Sequence, residues 1–129
     1  SYKNVFSDVF AAIERFCNRA RELGIEQIIV DPGFGFGKTL SHNYQLLNQL
    51  ERFHSLGYPL LVGVSRKSMI QQILDVNAEN ALNGTTAIHT IAVQKGASIL
   101  RVHDVKEAVQ VIQLVNYLNQ QESTPTAQA

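Results

Sequence analysis

The chain has 129 residues, and its 11 lysines and arginines balance 11 aspartates and glutamates, so the formal net charge is zero. That length can bury the core of one modest domain, and the balanced charge argues against a nucleic-acid binder, which usually carries a basic excess. No apolar run approaches the ~20 residues of a membrane span, and residues 1–4 do not have the pattern of a secretion signal. The single cysteine, Cys17, cannot form an internal disulfide, which fits a reducing cytoplasm.

The first element in chain order is an amphipathic helix. Its apolar positions recur every three or four residues, and they are Val5, Phe6, Val9, Phe10, Ile13, Phe16, Cys17, Ala20 and Leu23. Gly24 follows as a stop signal. Cys17 lies on the apolar side of this pattern, so we expect it to be a buried structural thiol. A strand is predicted next, over residues 27–30.

The rest of the chain alternates between helical and strand patterns. In order, we predict a helix capped by Ser41 and closed by Gly57, a strand over 60–64, a helix from about 67 to 74, a polar loop with some helical turn over 75–83, a helix from about 85 to 94, a strand over 98–102 and a last helix capped by Asp104. Residues 1–119 are predicted to form the folded unit, and residues 120–129 a flexible polar tail.

The strands are short and almost entirely apolar, and they alternate with amphipathic helices. This pattern indicates an α/β fold with parallel strands that are buried on both faces. Side chains alternate along a strand, so Gly63, Ser65 and Lys67 share one face, as do Arg101 and His103. Polar residues gather at the carboxyl ends of the strands, where parallel-sheet folds bind their ligands. These strand ends are therefore the candidate site.

A glycine-rich loop follows the first predicted strand, and it reads Asp31-Pro32-Gly33-Phe34-Gly35-Phe36-Gly37-Lys38-Thr39. A phosphate-binding P-loop would need a glycine where Pro32 stands, and a dinucleotide-binding loop would need one where Lys38 stands. Both nucleotide-binding interpretations therefore fail on spacing. Asp31 can instead accept paired hydrogen bonds from an amino-substituted heterocycle. Phe34 and Phe36 can form walls around a planar ligand.

The second and third strand ends carry cationic side chains. Lys67 faces inward at the start of the helix that follows the second strand. Arg101 and His103 lie beside the N-terminus of the last helix, where anions bind readily. An arginine that faces a core needs a partner or a ligand. The residues thus predict a site for a flat polar heterocycle and an anion, and no grouping has the spacing of a metal site made of protein ligands alone.

With these three strand ends, the chain resembles dihydropteroate synthase, a barrel enzyme of folate biosynthesis. The resemblance rests on motifs in the family's order: Asp31-Pro32-Gly33-Phe34-Gly35-Phe36-Gly37-Lys38, Gly63-Val64-Ser65-Arg66-Lys67-Ser68, Asn83-Gly84-Thr85-Thr86-Ala87, Gly96-Ala97 and Arg101-Val102-His103-Asp104-Val105. It implies a (β/α)8 (TIM) barrel, of which this chain looks like the C-terminal part, about three strand–helix units. Because a full barrel takes ~250 residues, we expect the chain to be a piece of a longer protein.

The resemblance also implies an activity. Members of the family condense 6-hydroxymethyl-7,8-dihydropterin diphosphate with 4-aminobenzoate, which yields 7,8-dihydropteroate and diphosphate. By this resemblance, the residues that contact the substrates would lie at the three strand ends: Asp31, Phe34, Gly35, Phe36, Gly63, Ser65, Lys67, Arg101 and His103.

The family resemblance assigns roles to these residues. Asp31 would hold the amino-pyrimidine edge of the pterin, and Lys67 its other polar edge. Arg101 and His103 would hold the diphosphate. The catalytic residues would therefore be Lys67, Arg101 and His103.

The second substrate and the cofactor are also implied by the resemblance. Gly35, Phe36 and Ser65 would line the pocket for 4-aminobenzoate, which is also the pocket for sulfonamides. Magnesium would be the metal ion, with its ligand expected in an N-terminal part outside this chain, so no metal ligand is assigned here. The resemblance further implies a homodimer in the cytoplasm, without nucleic-acid or membrane partners.

Two other interpretations stay open. One is another pterin-binding barrel, such as a methyltetrahydrofolate methyltransferase, although the motifs Ser65-Arg66-Lys67 and Arg101-Val102-His103 speak against it. The other is a non-catalytic fragment that needs a complementary half, because three strands of a barrel leave open sheet edges and an uncovered inner face.

Overall fold

A computed structural model describes residues 3–121 of the chain. Within these residues it contains five α-helices and two short strands: α1 Val5–Glu22, α2 Leu40–Asn48, β1 Leu61–Val62, α3 Ser68–Leu74, α4 Leu82–Gln94, β2 Ile99–Leu100 and α5 Val105–Gln120. Two 3₁₀ helices, Leu50–Leu56 and Ala78–Asn80, precede β1 and α4. The elements follow one another in the predicted order, except that the predicted strand over 27–30 is reduced to a single bridge at Val30.

The sheet is parallel, with β1 in its middle. β1 pairs with β2, so that Leu61 lies opposite Ile99. On the other side of β1, Val30 forms a parallel bridge with Leu60. The backbone amide of Leu61 donates a hydrogen bond of 2.8 Å to the carbonyl oxygen of Val30. The three predicted strand positions therefore lie side by side and end at the same edge.

The strands are shorter than the sequence predicts. Residues 27–29 form no strand, and only Val30 is bridged to β1. Within residues 3–121, this segment has a sheet neighbour on one side only, so it cannot build a full hydrogen-bond ladder. The side chain of Ile29 in this segment is 56% exposed. β1 and β2 likewise cover only the middle of the predicted ranges 60–64 and 98–102.

The helix predicted between Ser41 and Gly57 is in fact two helices. Its N-cap is Thr39, whose Oγ1 accepts a hydrogen bond of 3.1 Å from the amide of His42. In return, Nδ1 of His42 accepts one of 3.3 Å from the amide of Thr39, which completes a capping box. The usual partner in such a box is Glu or Gln. Because a histidine stands at this position, the sequence pattern did not predict Thr39 as the N-cap. α2 ends at Asn48, and a 3₁₀ helix continues to the left-handed Gly57.

The core lies between α1, α2, α3 and the strands. Phe6, Phe10 and Phe53 form an aromatic cluster with ring centroids 5.0, 5.7 and 5.8 Å apart. Cys17 is buried, as expected. Phe16, which the helical pattern placed on the apolar side, is 73% exposed. The apolar stripe of α1 is therefore wider than the surface that residues 3–121 lay against it.

The end of the described chain is helical. α5 runs to Gln120, the first residue of the predicted tail, and residues 122–129 of that tail lie outside the described residues. In the described part of the chain, no helix combines the length and the apolar character that a membrane crossing requires.

α4 buries a histidine on its core side. His89 is 2% exposed, and its Nε2 has no hydrogen-bond partner. Burial lowers the pKa of His89, and the negative charge of Asp104 opposes this effect only in part. A buried imidazole whose Nε2 has no partner favours its neutral form, because the low-dielectric interior penalises the charge.

We expect His89 to make the chain less stable as the pH falls from about 7.5 to about 5.5. The unfolded histidine takes up a proton near pH 6.5, whereas the folded one resists it, so the unfolded state binds more protons in this range. The free energy of unfolding should fall by at most about 1.4 kcal/mol from this group. Thermal melts at the two pH values measure the effect. His89→Gln should remove most of it, whereas the control His54→Gln, at an exposed position, should keep it. An unchanged pH dependence in His89→Gln would contradict the prediction.

Candidate functional site at the strand ends

The carboxyl ends of the three parallel segments surround two small neighbouring cavities. One, of about 150 Å³, is lined by Gly63, Ser65, Lys67, Arg101, Val102 and His103. The other, of about 210 Å³, is lined by Phe34, Gly35, Phe36, Lys67 and Ser68. Lys67 is common to both. Eight of the nine predicted site residues line one cavity or the other, and the ninth, Asp31, forms an ion pair with Arg101.

The glycine-rich loop is held by hydrogen bonds to its own backbone. Oδ1 of Asp31 accepts a hydrogen bond of 2.9 Å from the amide of Gly33. Nζ of Lys38 donates to the carbonyl oxygens of Gly33 and Phe36, at 2.6 and 3.1 Å. Gly33 and Gly35 have φ angles of +75° and +86°, which glycine adopts without strain. Lys38, which stands where a dinucleotide-binding loop would have a glycine, therefore closes the loop. Partial burial lowers the pKa of Lys38.

Asn43, in the first turn of α2, supports the same loop from the core side. Its side chain is buried; Oδ1 accepts a hydrogen bond of 2.8 Å from the amide of Gly35, and Nδ2 donates one of 3.1 Å to the carbonyl oxygen of Thr39. The sequence prediction missed this residue. A signal was present, because Asn43 shares the helical face of the buried Leu46 and Leu47, where a polar side chain needs a partner.

Lys67 connects the glycine-rich loop with the second strand end. Its Nζ donates a hydrogen bond of 2.7 Å to the carbonyl oxygen of Phe34 and lies 5.0 Å from the ring centroid of Phe36. Partial burial, together with the charge of Arg101, lowers the pKa of Lys67. An ammonium group has three N–H donors, so Lys67 can bind a ligand while it holds the loop. The ring of Phe36 is largely exposed beside it.

Arg101 faces the carboxylate of Asp31. The distance from its Nη1 to Oδ2 of Asp31 is 3.2 Å. The glycine at position 63 makes this possible, because a Cβ there would collide with the guanidinium of Arg101. The space beside Gly63 is thus filled by the guanidinium of Arg101. An ion pair this exposed contributes about 1 kcal/mol or less, so a ligand can replace it.

Ser65 fixes the imidazole of His103. Its Oγ lies 2.8 Å from Nδ1 of His103 and accepts a hydrogen bond of 3.3 Å from the backbone amide of His103. Ser65 is buried. This serine therefore lines the cavity of Arg101 and His103 rather than that of Phe36. With Nδ1 engaged, Nε2 is the ring nitrogen left for a ligand.

Arg66 and Asp104, which adjoin predicted site residues in the sequence, form a bidentate ion pair. Nε of Arg66 lies 2.9 Å from Oδ2 of Asp104, and Nη2 lies 3.0 Å from Oδ1. These hydrogen bonds raise the pKa of Arg66 and lower the pKa of Asp104. Asp104 is the N-cap residue of α5, as predicted, but its side chain makes no capping hydrogen bond, because Arg66 occupies the carboxylate. Arg66 has a φ of +56°, a conformation that costs a non-glycine residue about 1–2 kcal/mol.

The described residues do not form a metal site by themselves. Within residues 3–121, no group of three or more His, Cys, Asp or Glu side chains is placed to hold a metal ion. Asp31 directs its two carboxylate oxygens to the amide of Gly33 and to Arg101. The described residues therefore do not fit a metal ion held by protein ligands of this chain alone.

The fold and the geometry at the strand ends indicate a class of protein. Parallel strands with covering helices, and with polar side chains gathered at the carboxyl ends of the strands, are the pattern of an α/β enzyme that binds its ligands at that end. The cationic side chains beside an aromatic loop have the chemistry that suits an anion and a flat group.

Comparison with known proteins agrees with this class. Residues 1–103 match the family model described as "Pterin binding enzyme", and the chain belongs to that family. It is similar to the dihydropteroate synthase of Escherichia coli (strain K12), with 50% identity over 116 residues that cover 85% of this chain and 41% of that protein. The chain thus spans less than half the length of this relative.

Solved structures show the same likeness. The Yersinia pestis dihydropteroate synthase with a sulfonamide drug complex is 41% identical, with a TM-score of 0.91 over 95% of this chain and 45% of that chain. The Thermus thermophilus dihydropteroate synthase in complex with 4-aminobenzoate is 40% identical, with a TM-score of 0.87 over 92% of this chain and 49% of that chain. The predicted fold class, part of a (β/α)8 barrel, is confirmed.

We expect Gly63→Ala to leave the fold intact and to displace Arg101. The added Cβ would meet the far end of a flexible side chain rather than backbone, so the free energy of unfolding should change by about 1 kcal/mol or less. Binding of inorganic diphosphate, measured by titration calorimetry, should weaken about tenfold, which corresponds to about 1.4 kcal/mol. Ser98→Ala, an exposed change beside β2, is the control and should change neither quantity. Wild-type diphosphate affinity in Gly63→Ala would contradict the prediction.

Proposed function

We propose that this chain forms part of a dihydropteroate synthase, which joins 6-hydroxymethyl-7,8-dihydropterin diphosphate to 4-aminobenzoate and releases diphosphate. The observation that supports this most is that Lys67, Arg101 and His103 line one cavity next to the loop that carries Phe36. Membership in the pterin-binding family and the likeness to dihydropteroate synthases support the same substrates.

The pterin would bind between Asp31 and Lys67. The carboxylate of Asp31 would accept paired hydrogen bonds from the amino-pyrimidine edge, and Lys67 would donate to the opposite polar edge. For this, the pterin has to replace Arg101 as the partner of Asp31. The exchange would release the guanidinium of Arg101 next to His103, where the diphosphate group of the same substrate would lie. Binding of the heterocycle would thus prepare the anion site.

Arg101 and His103 would stabilise the leaving group. The amine nitrogen of 4-aminobenzoate forms a bond to the methylene carbon of the pterin, and the bond from that carbon to the diphosphate oxygen breaks. The departing oxygens gain negative charge, which Arg101, Nε2 of His103 and the N-terminus of α5 would stabilise. The nitrogen then loses a proton to solvent. Because the amine is itself the nucleophile, the protein has mainly to position it.

The second substrate would lie against the glycine-rich loop. Phe36 and Gly35 would form one wall for the ring of 4-aminobenzoate, and sulfonamides would compete for the same wall. Magnesium, which the family resemblance implies, would take its protein ligands from residues outside this chain. The homodimer and the cytoplasmic location stay predictions.

The proposed function can be tested in a chimera in which this chain replaces the segment of the E. coli enzyme to which it is 50% identical. The chimera should form dihydropteroate from both substrates. Asp31→Asn and Lys67→Met should each lower kcat/KM about a hundredfold, since each removes a charged contact with the substrate. Asp75→Asn, an exposed position that keeps a left-handed backbone which asparagine tolerates, is the matched control and should retain full activity.

The same chimera separates the proposed function from its rival. Methyl transfer from methyltetrahydrofolate, without formation of dihydropteroate, would favour the other class of pterin-binding barrel. Full synthase activity in Asp31→Asn would show that the assigned pterin contact is wrong.

A further inference from the structure

We propose that Arg66 and Asp104 are positioning residues: their ion pair fixes the loop after β1 against the loop after β2, so that Lys67 and His103 keep their places in the site. The proposal rests on the proposed function, because it takes Lys67 and His103 as groups that touch the substrate. Neither Arg66 nor Asp104 lines the cavities at the strand ends.

The side chain of Arg66 joins separate parts of the chain. Its Nε and Nη2 bond the two carboxylate oxygens of Asp104, and its Nη1 donates to the carbonyl oxygens of Ala78 and Glu79 at 2.6 and 3.1 Å. The side chains of Arg66 and Asp104 are only 21% and 24% exposed, so solvent screens the pair less than it screens the pair of Asp31 and Arg101. One guanidinium therefore links the loop after β2 to the 3₁₀ helix before α4.

The backbone of Arg66 is held as firmly as its side chain. Its amide donates a hydrogen bond of 2.9 Å to Oγ1 of Thr85, which is buried in α4, and its carbonyl oxygen accepts one of 2.6 Å from Nε2 of Gln71 in α3. These contacts surround a non-glycine residue in the left-handed region, a conformation that persists only when its surroundings determine it. This backbone conformation sets the direction in which the chain leaves toward Lys67.

The pair acts next to the hydrogen bond between Ser65 and His103. Ser65 precedes Arg66, and His103 precedes Asp104, so the two loops are joined twice within two consecutive residues. Without the ion pair, the imidazole would depend on the hydrogen bonds between Ser65 and His103, which would not be enough to keep it in one position. The fork of a guanidinium matches a carboxylate in one plane, whereas the ammonium of a lysine does not. The geometry of the pair, and not only its charge, is therefore what positions His103.

The experiment uses the full 129-residue chain, labelled with ¹⁵N, and three variants. Asp104→Asn keeps the shape and removes the charge, and Arg66→Lys keeps the charge and removes the fork. Glu107→Gln, one turn along α5, is the matched control, since Glu107 acts on Arg66 through its charge without a hydrogen bond. Three quantities are measured: the ring-nitrogen chemical shifts of His103, the affinity for inorganic diphosphate, and the melting temperature.

In the wild type and in Glu107→Gln, we expect the ring nitrogens of His103 to give the separate shifts of one hydrogen-bonded tautomer. In Asp104→Asn and Arg66→Lys, these shifts should move toward the averaged values of a freely exchanging ring. Diphosphate binding should weaken about tenfold in both variants. A role in stability alone would lower the melting temperature without moving the ring signals of the folded chain.

Wild-type ring signals in a folded Asp104→Asn or Arg66→Lys would overturn the proposal. If Asp104→Asn does not fold, Arg66→Lys decides, and loss of the fold in both would overturn a positioning role in favour of a structural one. Failure of the wild type to bind diphosphate would instead count against the proposed function. The ring signals of His103 would still test whether the ion pair of Arg66 and Asp104 positions the imidazole.

Discussion

Parallel pairing on both sides of β1 is the constraint on which the site depends. Because Val30 and β2 both run in the direction of β1, the residues that follow the three segments emerge at one edge of the sheet. Asp31 and Arg101 are 70 positions apart in sequence and yet form an ion pair there. An antiparallel partner would have carried one of these groups to the opposite edge. The chemistry of the site thus follows from strand direction more than from any single motif.

Charged side chains lie close together at the strand ends. Gly63 leaves room that the guanidinium of Arg101 fills, and Arg101 in turn acts on the ammonium of Lys67 through its charge. Lys67 is stabilised where it lies by the carbonyl oxygen of Phe34. The cations are therefore arranged before any anion arrives, so their arrangement requires little reorganisation when a charged ligand binds.

The outer surfaces of the chain show what this part of a barrel leaves uncovered. Phe16 on α1 and Ile29 beside the Val30 bridge are exposed apolar residues, and both line one open cavity together with Val30. The relatives and solved structures that the chain matches are about twice its length or more. In a closed barrel the strand next to Val30 would have a neighbour, so exposed edges of this kind are expected of part of a barrel.

Local patterns in the sequence determined the order of the elements, the parallel sheet and the residues at its carboxyl ends, because hydrophobic periodicity and turn signals act over short distances. They did not determine that Thr39 is the N-cap of α2, since His42 is an unusual partner in a capping box. The tertiary structure alone decided which polar groups meet. It paired Asp31 with Arg101 and Arg66 with Asp104. These contacts depend on the register and direction of neighbouring strands, and the spacing of residues within one segment carries no information about either.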